Sequence, residues 1–142
     1  SYCFNNFPGY RAILKLKHLK KKISFKKNGK SISIKSIAVQ HGRILSRSFI
    51  INKSCAYVSD ANKIYSKDLK YFKNLKYLVI DCLRYNPHPS HFNLSDVIEL
   101  TKILNPKKTI LTNLNTDMDY NYLSKILPKN IVPGYDGMSF YI

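Results

Sequence analysis

The stretch LVIDCLRYNPHPSHFNLSDVIEL, residues 78–100, passes from a strand pattern through a loop with two histidines into a helix pattern. Residues 77–82 (YLVIDC) form a nearly continuous apolar run, which is typical of a strand buried on both faces. Over residues 93–104 apolar side chains recur at helical spacing, and either Asn93 or Ser95 is suited to cap the helix. The stretch therefore predicts a buried strand, a loop and an amphipathic helix.

The same reading extends to both sides of this unit. Upstream, two alternating runs flank an Asn28-Gly29 pair, which is the strongest short-range signal of a β-hairpin. The predicted strands of the first half cover residues 22–27, 31–35, 36–40, 48–52 and 55–59. Downstream, the pattern predicts a buried strand at 108–112, a short helix at 119–127 and a final strand from Ile131. The chain thus reads as a β-rich first half followed by βαβαβ.

Length and composition limit the class of protein. With 142 residues and 44% hydrophobic residues, the chain is expected to form a single domain over residues 1–142 with a real core. No apolar run approaches the roughly 20 residues that cross a bilayer, and no secretory signal is visible. Cys3, Cys55 and Cys82 show no paired spacing of a zinc or redox site, so reduced thiols in the cytoplasm are expected.

The charge of the chain is strongly positive, with 24 basic and 8 acidic residues. Such a balance favours phosphates, nucleic acid or an acidic partner. However, the chain is also rich in Lys, Asn, Ile and Tyr and has no Trp, which is how an AT-rich coding sequence drifts. Only four of the basic residues are arginines, the residue type that reads bases with a bidentate fork. A dedicated nucleic-acid-binding module is therefore an alternative that the sequence does not favour.

Polar residues of metal-binding or acid–base type follow the ends of successive predicted strands: His41, Asp60, Asp81 and Asn113, with His88 and His91 in the loop after the third strand. Each residue alone is more often a surface or capping residue, and Asp81 could equally pair with Arg84. Strand ends that meet at one edge are nevertheless how α/β sites are built. The succession predicts a site at this edge.

Several stretches also resemble a known family: VQHGR, YVSDANK, LVIDCLRYNPHPSHFNL, KKTILTNLNTDMDY, LPKNIVPGYDGM and, more loosely, YCFNNFPGY. They occur in the family's order and cover nearly the whole chain. The chain resembles the C-terminal part of a metallo-β-lactamase-fold hydrolase, in the branch of the phosphoribosyl cyclic-phosphate phosphodiesterases.

The resemblance implies an α/β (α+β) fold, the C-terminal half of an αββα sandwich, with a mixed sheet and helices on one face. Family members hold two divalent metal ions, zinc or manganese, where their two sheets meet. By position, His41 resembles a metal-binding histidine and Asp60 the bridging aspartate. Either His91 or His88 resembles the histidine beside the scissile phosphate, with His91 favoured, and Asp81 would orient a ligand from behind.

Two departures from the family pattern affect the expected function. The family's HxHxDH motif does not occur, and its LTHxxHD stretch reads LTNLNTD, with Asn113 and Thr116 in place of histidines. An amide is a poor zinc ligand. The chain is therefore expected to be a fragment of a phosphodiester hydrolase, or a degenerate one, and inactive alone.

The incomplete sandwich also bears on partners. A complementing N-terminal half, or a second copy of the chain, would cover the open sheet face. By resemblance the substrate is a small phosphodiester, and no membrane is involved. The alternatives are a non-catalytic remnant or interaction module and the basic nucleic-acid-binding module.

Overall fold

A computed structural model describes residues 6, 8–9, 11–14 and 17–142, without the side chain of Lys27. Most of YCFNNFPGY, including Cys3, lies outside these residues. The elements are β1 (Lys22–Lys27), β2 (Lys30–His41), β3 (Ile44–Ile51), β4 (Cys55–Val58), a 3-10 helix (Ser66–Tyr71), β5 (Tyr77–Asp81), α1 (Leu94–Leu104), β6 (Lys108–Thr112), α2 (Tyr120–Ile126) and β7 (Ile131–Pro133). No helix within the described ranges is long and apolar enough to cross a bilayer.

The seven strands form one mixed sheet in which spatial order follows chain order. Strands β1 to β4 pair antiparallel, and β4 to β7 pair parallel. The predicted hairpin is confirmed, since Lys27 pairs with Lys30 across the turn. Asn28 and Gly29 both have positive φ, at 50° and 74°, as the tight turns that suit twisted strands require.

Two of the predicted strands are one. Residues 31–35 and 36–40 both belong to β2, which runs without a break over 12 residues. The prediction divided them because the apolar side chains change phase. Ile32 and Ile34 occupy one face of the strand, whereas Ile37 and Val39 occupy the other face and are buried.

Both α-helices begin at a side-chain cap. Asn93 Oδ1 accepts a hydrogen bond from the backbone N–H of Asp96 at 3.1 Å, and the Asp96 carboxylate accepts one from the N–H of Asn93. This reciprocal pair is a capping box, so Asn93 rather than Ser95 is the cap. Asp119 caps α2 by accepting from the N–H of Tyr122 at 2.7 Å. These caps fix the residues at which the loops after β5 and β6 end and the two helices begin.

The core lies between the sheet and its helices. Leu78, Ile80 and Leu111 from the parallel strands are fully buried together with Val97 of α1 and Leu123 of α2. The predicted mixed sheet with a helix-covered face is therefore confirmed.

The opposite face of the sheet is also apolar. Strand register places Phe49, Tyr57, Val79, Ile110 and Val132 side by side on it. Tyr57 is 40% exposed, in contrast to the residues of the helix-covered face. We call this the open face.

The C-terminal segment, residues 134–142, lies over part of the open face. The ring of Phe140 packs against that of Tyr77, with 4.5 Å between centroids, and Lys76 Nζ donates to the carbonyl of Tyr141. Asp136 and Gly137 form a turn in this segment, and Gly137 has φ of 90°.

Candidate metal centre

Four strands deliver polar side chains to one edge of the sheet. The carboxyl ends of β4, β5 and β6 meet there because these strands are parallel. Strand β2 is two antiparallel pairings away from β4, so its carboxyl end lies at the same edge. His41 is the last residue of β2, Asp60 follows β4, Asp81 ends β5 and Asn113 follows β6.

Asp60 and Asn113 leave their strands in the left-handed region of backbone space, with φ of 47° and 59°. Aspartate and asparagine tolerate this region better than most residues because their short polar side chains bond locally. The chain therefore turns sharply out of the sheet at both positions.

Three side chains come together at this edge. His41, Asp60 and His91 each offer one ligand atom, and these atoms lie within 4.8 Å of one another. The two imidazole rings are 4.7 Å apart between centroids and inclined at 76°. Both imidazoles are half-buried, whereas Asp60 is exposed. The cluster thus has a protected side and a side open to an incoming group.

Both imidazoles are held through Nδ1. His41 Nδ1 lies 2.8 Å from the carbonyl oxygen of Ser90, and His91 Nδ1 lies 2.6 Å from Asp81 Oδ2. Because a carbonyl and a carboxylate can only accept, both Nδ1 atoms carry the proton. The Nε2 atom of each ring is left available, either as a ligand or for proton transfer.

Asp81 is the buried anchor of His91. Its side chain is fully buried, and Oδ2 also accepts from the backbone N–H of Ala61 at 2.9 Å. Burial raises the pKa of Asp81, while the bonds from Ala61 and His91 and the nearby amide of Asn113 lower it. Oδ1 has no hydrogen-bond partner among the described residues. A carboxylate that accepts from the Nδ1–H of an imidazole fixes the tautomer and the orientation of that ring.

The alternative pairing of Asp81 with Arg84 is not formed. The Arg84 guanidinium donates to the backbone carbonyls of Asn86 and Pro87 instead. Arg84 therefore holds the loop of residues 82–93, which we call the histidine loop, and does not pair with the carboxylate of Asp81.

His88 lies outside the three-residue cluster. Its Nδ1 accepts from the N–H of Ser90 at 3.3 Å, and its ring is 5.1 Å from that of His91. Desolvation lowers the pKa of His88, and the positive charge of Arg84 lowers it further. Of the two loop histidines, His91 is the one that the structure anchors beside His41 and Asp60.

Asn62, which no sequence pattern singled out, fastens the histidine loop to the sheet. Its amide nitrogen donates to the carbonyl of Pro89, and its Oδ1 accepts from the N–H of Gly42, each at 3.1 Å. The β2–β3 turn at Gly42 and the histidine loop at Ser90 are so close that a Cβ at Gly42 would lie 3.1 Å from Cβ of Ser90. Its place beside Asp60 in YVSDANK was the signal available.

Asn113 and Thr116, the two residues that replace histidines of the family pattern, are both exposed. Asn113 lines a cavity of about 550 Å³, together with Thr112 and Asp136. Thr116 is bonded to Asn115, with its N–H 2.8 Å from Asn115 Oδ1. Neither side chain adds an imidazole to the cluster.

The donor set suits one divalent cation. Two imidazole nitrogens and one carboxylate oxygen are ligands that zinc accepts in open sites, and manganese accepts the same groups. Three donors leave further coordination positions free. A second ion would need ligands beyond these three.

No protein-family model matches the chain, and no curated protein matches it significantly. Solved structures do. A diphosphatase of the PhnP family has a TM-score of 0.76 at 24% identity, over 84% of this chain and 46% of that one. The metallo-β-lactamase fold protein YhfI from Bacillus subtilis has a TM-score of 0.69 at 13% identity, over 91% of this chain and 56% of that one.

The short form of human tRNase Z is also similar, with a TM-score of 0.62 at 12% identity, over 83% of this chain and 44% of that one. The chain spans about half the length of these three proteins. Likeness at such identities establishes a shared fold.

Proposed function

The chain has the metallo-β-lactamase fold, and we propose that it is the C-terminal half of a metal-dependent hydrolase of phosphodiester or diphosphate bonds. The observation that carries this proposal is the cluster of His41, Asp60 and His91, with both Nδ1 atoms tied back. Its position at the carboxyl edge of the sheet is where α/β folds place their chemistry. The phosphate substrate rests on the sequence resemblance and on the diphosphatase among the similar structures.

In this proposal each residue has a defined task. His41 and Asp60 hold a divalent cation, zinc or manganese, and His91 completes the donor set in the isolated chain. A bound ion would polarise a phosphoryl oxygen and lower the pKa of a water. When other ligands are supplied, Nε2 of His91 is free to donate a proton to the leaving oxygen, while Asp81 stabilises the imidazolium.

The chain supplies only part of the site. We propose that the family's usual pair of ions requires donors from a segment outside these 142 residues, in a longer chain or in another one. The apolar open face is the surface that such a segment, or a second copy, would cover. Residues 1–142 then act as one domain and are inactive alone. A reducing cytoplasm fits the buried free thiols of Cys55 and Cys82.

A second candidate function is a non-catalytic remnant that keeps the fold without turnover. Asn113 favours it, because an exposed amide stands where the family pattern has an imidazole. The two candidates differ in whether restoring that imidazole restores chemistry.

Metal titration of the purified chain tests the cluster. We expect weak binding of zinc or manganese without a defined two-ion stoichiometry, and His41→Ala should weaken it further. The matched control is His18→Ala, since His18 is exposed and remote in sequence from the cluster. Two tightly held equivalents per chain by elemental analysis would show that other residues complete the site.

Reconstitution tests the enzyme proposal. With an N-terminal half that carries HxHxDH supplied in trans, we expect little hydrolysis of a cyclic phosphodiester. Asn113→His, followed by Thr116→His, should raise metal affinity and activity together. Histidine is among the residues that tolerate the positive φ at position 113. Efficient hydrolysis by the unaltered pair, with no gain from Asn113→His, would contradict the assignment of Asn113.

A further inference from the structure

The positive charge of the chain is not evenly distributed. Residues 1–59 contain 13 of the 24 basic residues and none of the 8 acidic ones. Residues 60–142 contain 11 basic residues and all 8 acidic ones, which leaves them close to balance. Drift of a coding sequence towards lysine would raise the lysine content everywhere. It would not clear acidic residues from one continuous segment.

Within this acid-free segment, the β1–β2 hairpin presents lysines and an exposed apolar pair. Lys22 and Lys26 are exposed on β1, which is an edge strand paired only with β2 among the described residues. Phe25 and Ile32 are cross-strand partners, 56% and 47% exposed. Together with Asn28 and Lys30 they line a surface cavity of about 330 Å³. Lys30 lies on the same face as Phe25 and Ile32, whereas Lys22 and Lys26 alternate onto the opposite face of the hairpin. An uncovered aromatic ring therefore lies on an edge hairpin that carries lysines on both of its faces.

We infer that the β1–β2 hairpin binds single-stranded nucleic acid without sequence preference. Lysines neutralise phosphates, and an exposed aromatic ring stacks on a base, which a duplex keeps covered. All eight basic residues between positions 17 and 35 are lysines, so no arginine fork is available to read base edges. The residues involved are distinct from the metal centre, because β2 separates Lys30 from His41 by roughly 35 Å of strand.

An anionic membrane surface has similar charge but fits this region less well. Peripheral binding to lipid commonly uses an amphipathic helix with a broad apolar face. In the part of the chain that the structure describes, the first helical element begins only at Ser66. The hairpin offers two apolar side chains instead, a size that suits a single base.

The aromatic contact is tested by fluorescence anisotropy with labelled 12-mers of uridine and of deoxythymidine. Phe25→Ala should weaken binding of the 12-mers by at least about 5-fold, the lower end of base–aromatic stacking. The matched control is Tyr122→Ala, because Tyr122 on α2 is 55% exposed, close to the 56% of Phe25. This control should leave the affinity unchanged, and circular dichroism should show both variants folded.

The lysine contacts are tested by the salt dependence of the binding constant between 50 and 200 mM KCl. On a single strand, each phosphate neutralised contributes about −0.7 to the slope of log K against log salt. Replacing the hairpin lysines 22, 26 and 30 by glutamine should make the slope of log K against log salt less negative by about 2. Glutamine at the exposed lysines 73, 102 and 125 makes the same change in net charge and should change the slope far less.

Binding of either 12-mer with both hairpin effects supports the inference, and the two strand chemistries show whether RNA or DNA is preferred. Three results would overturn it. The first is tighter binding of a 12-base-pair duplex, and the second is tighter hairpin-dependent binding to phosphatidylserine vesicles. The third is an equal loss of affinity in the control lysine variant, which would mean that net charge alone drives binding.

Discussion

Replacing Asp81 by asparagine separates the charge of the buried anchor from its shape. Oδ2 of Asp81 accepts from Nδ1 of His91 at 2.6 Å and from the N–H of Ala61 at 2.9 Å. Asparagine keeps the volume of the side chain but has a single, uncharged acceptor oxygen. Its NH2 group can only donate, so it cannot accept from His91 Nδ1 or from the N–H of Ala61. His91 would lose its charged partner and its fixed orientation.

The expected loss follows from the role of such partners. Removing the carboxylate behind a ligating imidazole commonly costs 10- to 100-fold in metal affinity, and we expect about that loss for zinc. Competition against a chelating dye at neutral pH measures it. Asp117→Asn, which removes the same charge at an exposed position, is the control. In the double variant with His91→Ala, the second change should add little, because both act on one ligand.

The same variant has a second readout in the pH dependence of stability. Burial raises the pKa of Asp81 above its ordinary value of 3.8, so the folded state binds this proton more tightly than the unfolded state. The contribution of Asp81 to stability is therefore present at low pH and is lost as pH rises through the folded pKa. In urea unfolding from pH 3 to 7, the free energy of unfolding of Asp81→Asn should rise relative to that of the unaltered chain as the pH increases.

Two results would refute this reasoning about Asp81. One is zinc affinity within twofold of the unaltered chain while His91→Ala binds much more weakly. The other is a stability difference that moves in the opposite direction with pH.

The remaining predictions concern stability, measured as the free energy of unfolding in urea. Phe72→Ala should cost about 3–5 kcal/mol, because the ring is fully buried in the core, and a cost below about 1 kcal/mol would mean that the core repacks around the cavity. Asn93→Ala should cost about 1 kcal/mol through loss of the helix cap. Ser95→Ala, at an exposed site in the first turn, should cost far less, and equal costs would contradict the capping geometry.

Much of the fold could be predicted because local patterns and tertiary burial agree. The apolar runs at 77–82 and 108–112 are the two central parallel strands, and Asn28-Gly29 turns the hairpin. The prediction failed at the middle of β2, where the apolar residues change from one face of the strand to the other. Lys35 shares the helix-covered side with Ile37, at the sheet margin, and its ammonium lies 3.1 Å from the ring centroid of Tyr71. Alternation alone could not show that one continuous strand carries its apolar residues on opposite faces in its two halves.

The grouping of side chains at the sheet edge was predictable where residue type carries the information. His41, Asp60 and His91 have chemistry of their own, and the strand pattern brought their positions to one edge. Their supports are different in kind, since the carbonyl of Ser90 and the N–H of Ala61 are backbone groups that every residue possesses. The choice between His91 and His88 likewise depended on the buried carboxylate of Asp81, which only the folded chain places.

The order of strands in the sheet has a consequence for assembly. Every strand has its chain neighbours as its sheet neighbours, so no position inside the sheet waits for a strand from elsewhere. The antiparallel strands β1 to β4 are joined by turns of only two or three residues, and such local pairing favours rapid formation during synthesis. The complementing segment proposed above would then dock on a finished face, and as a separate chain its concentration would set how much of the metal centre is complete. Under that proposal, the completeness of the metal centre would depend on how fully the open face is occupied, without any change in how this chain folds.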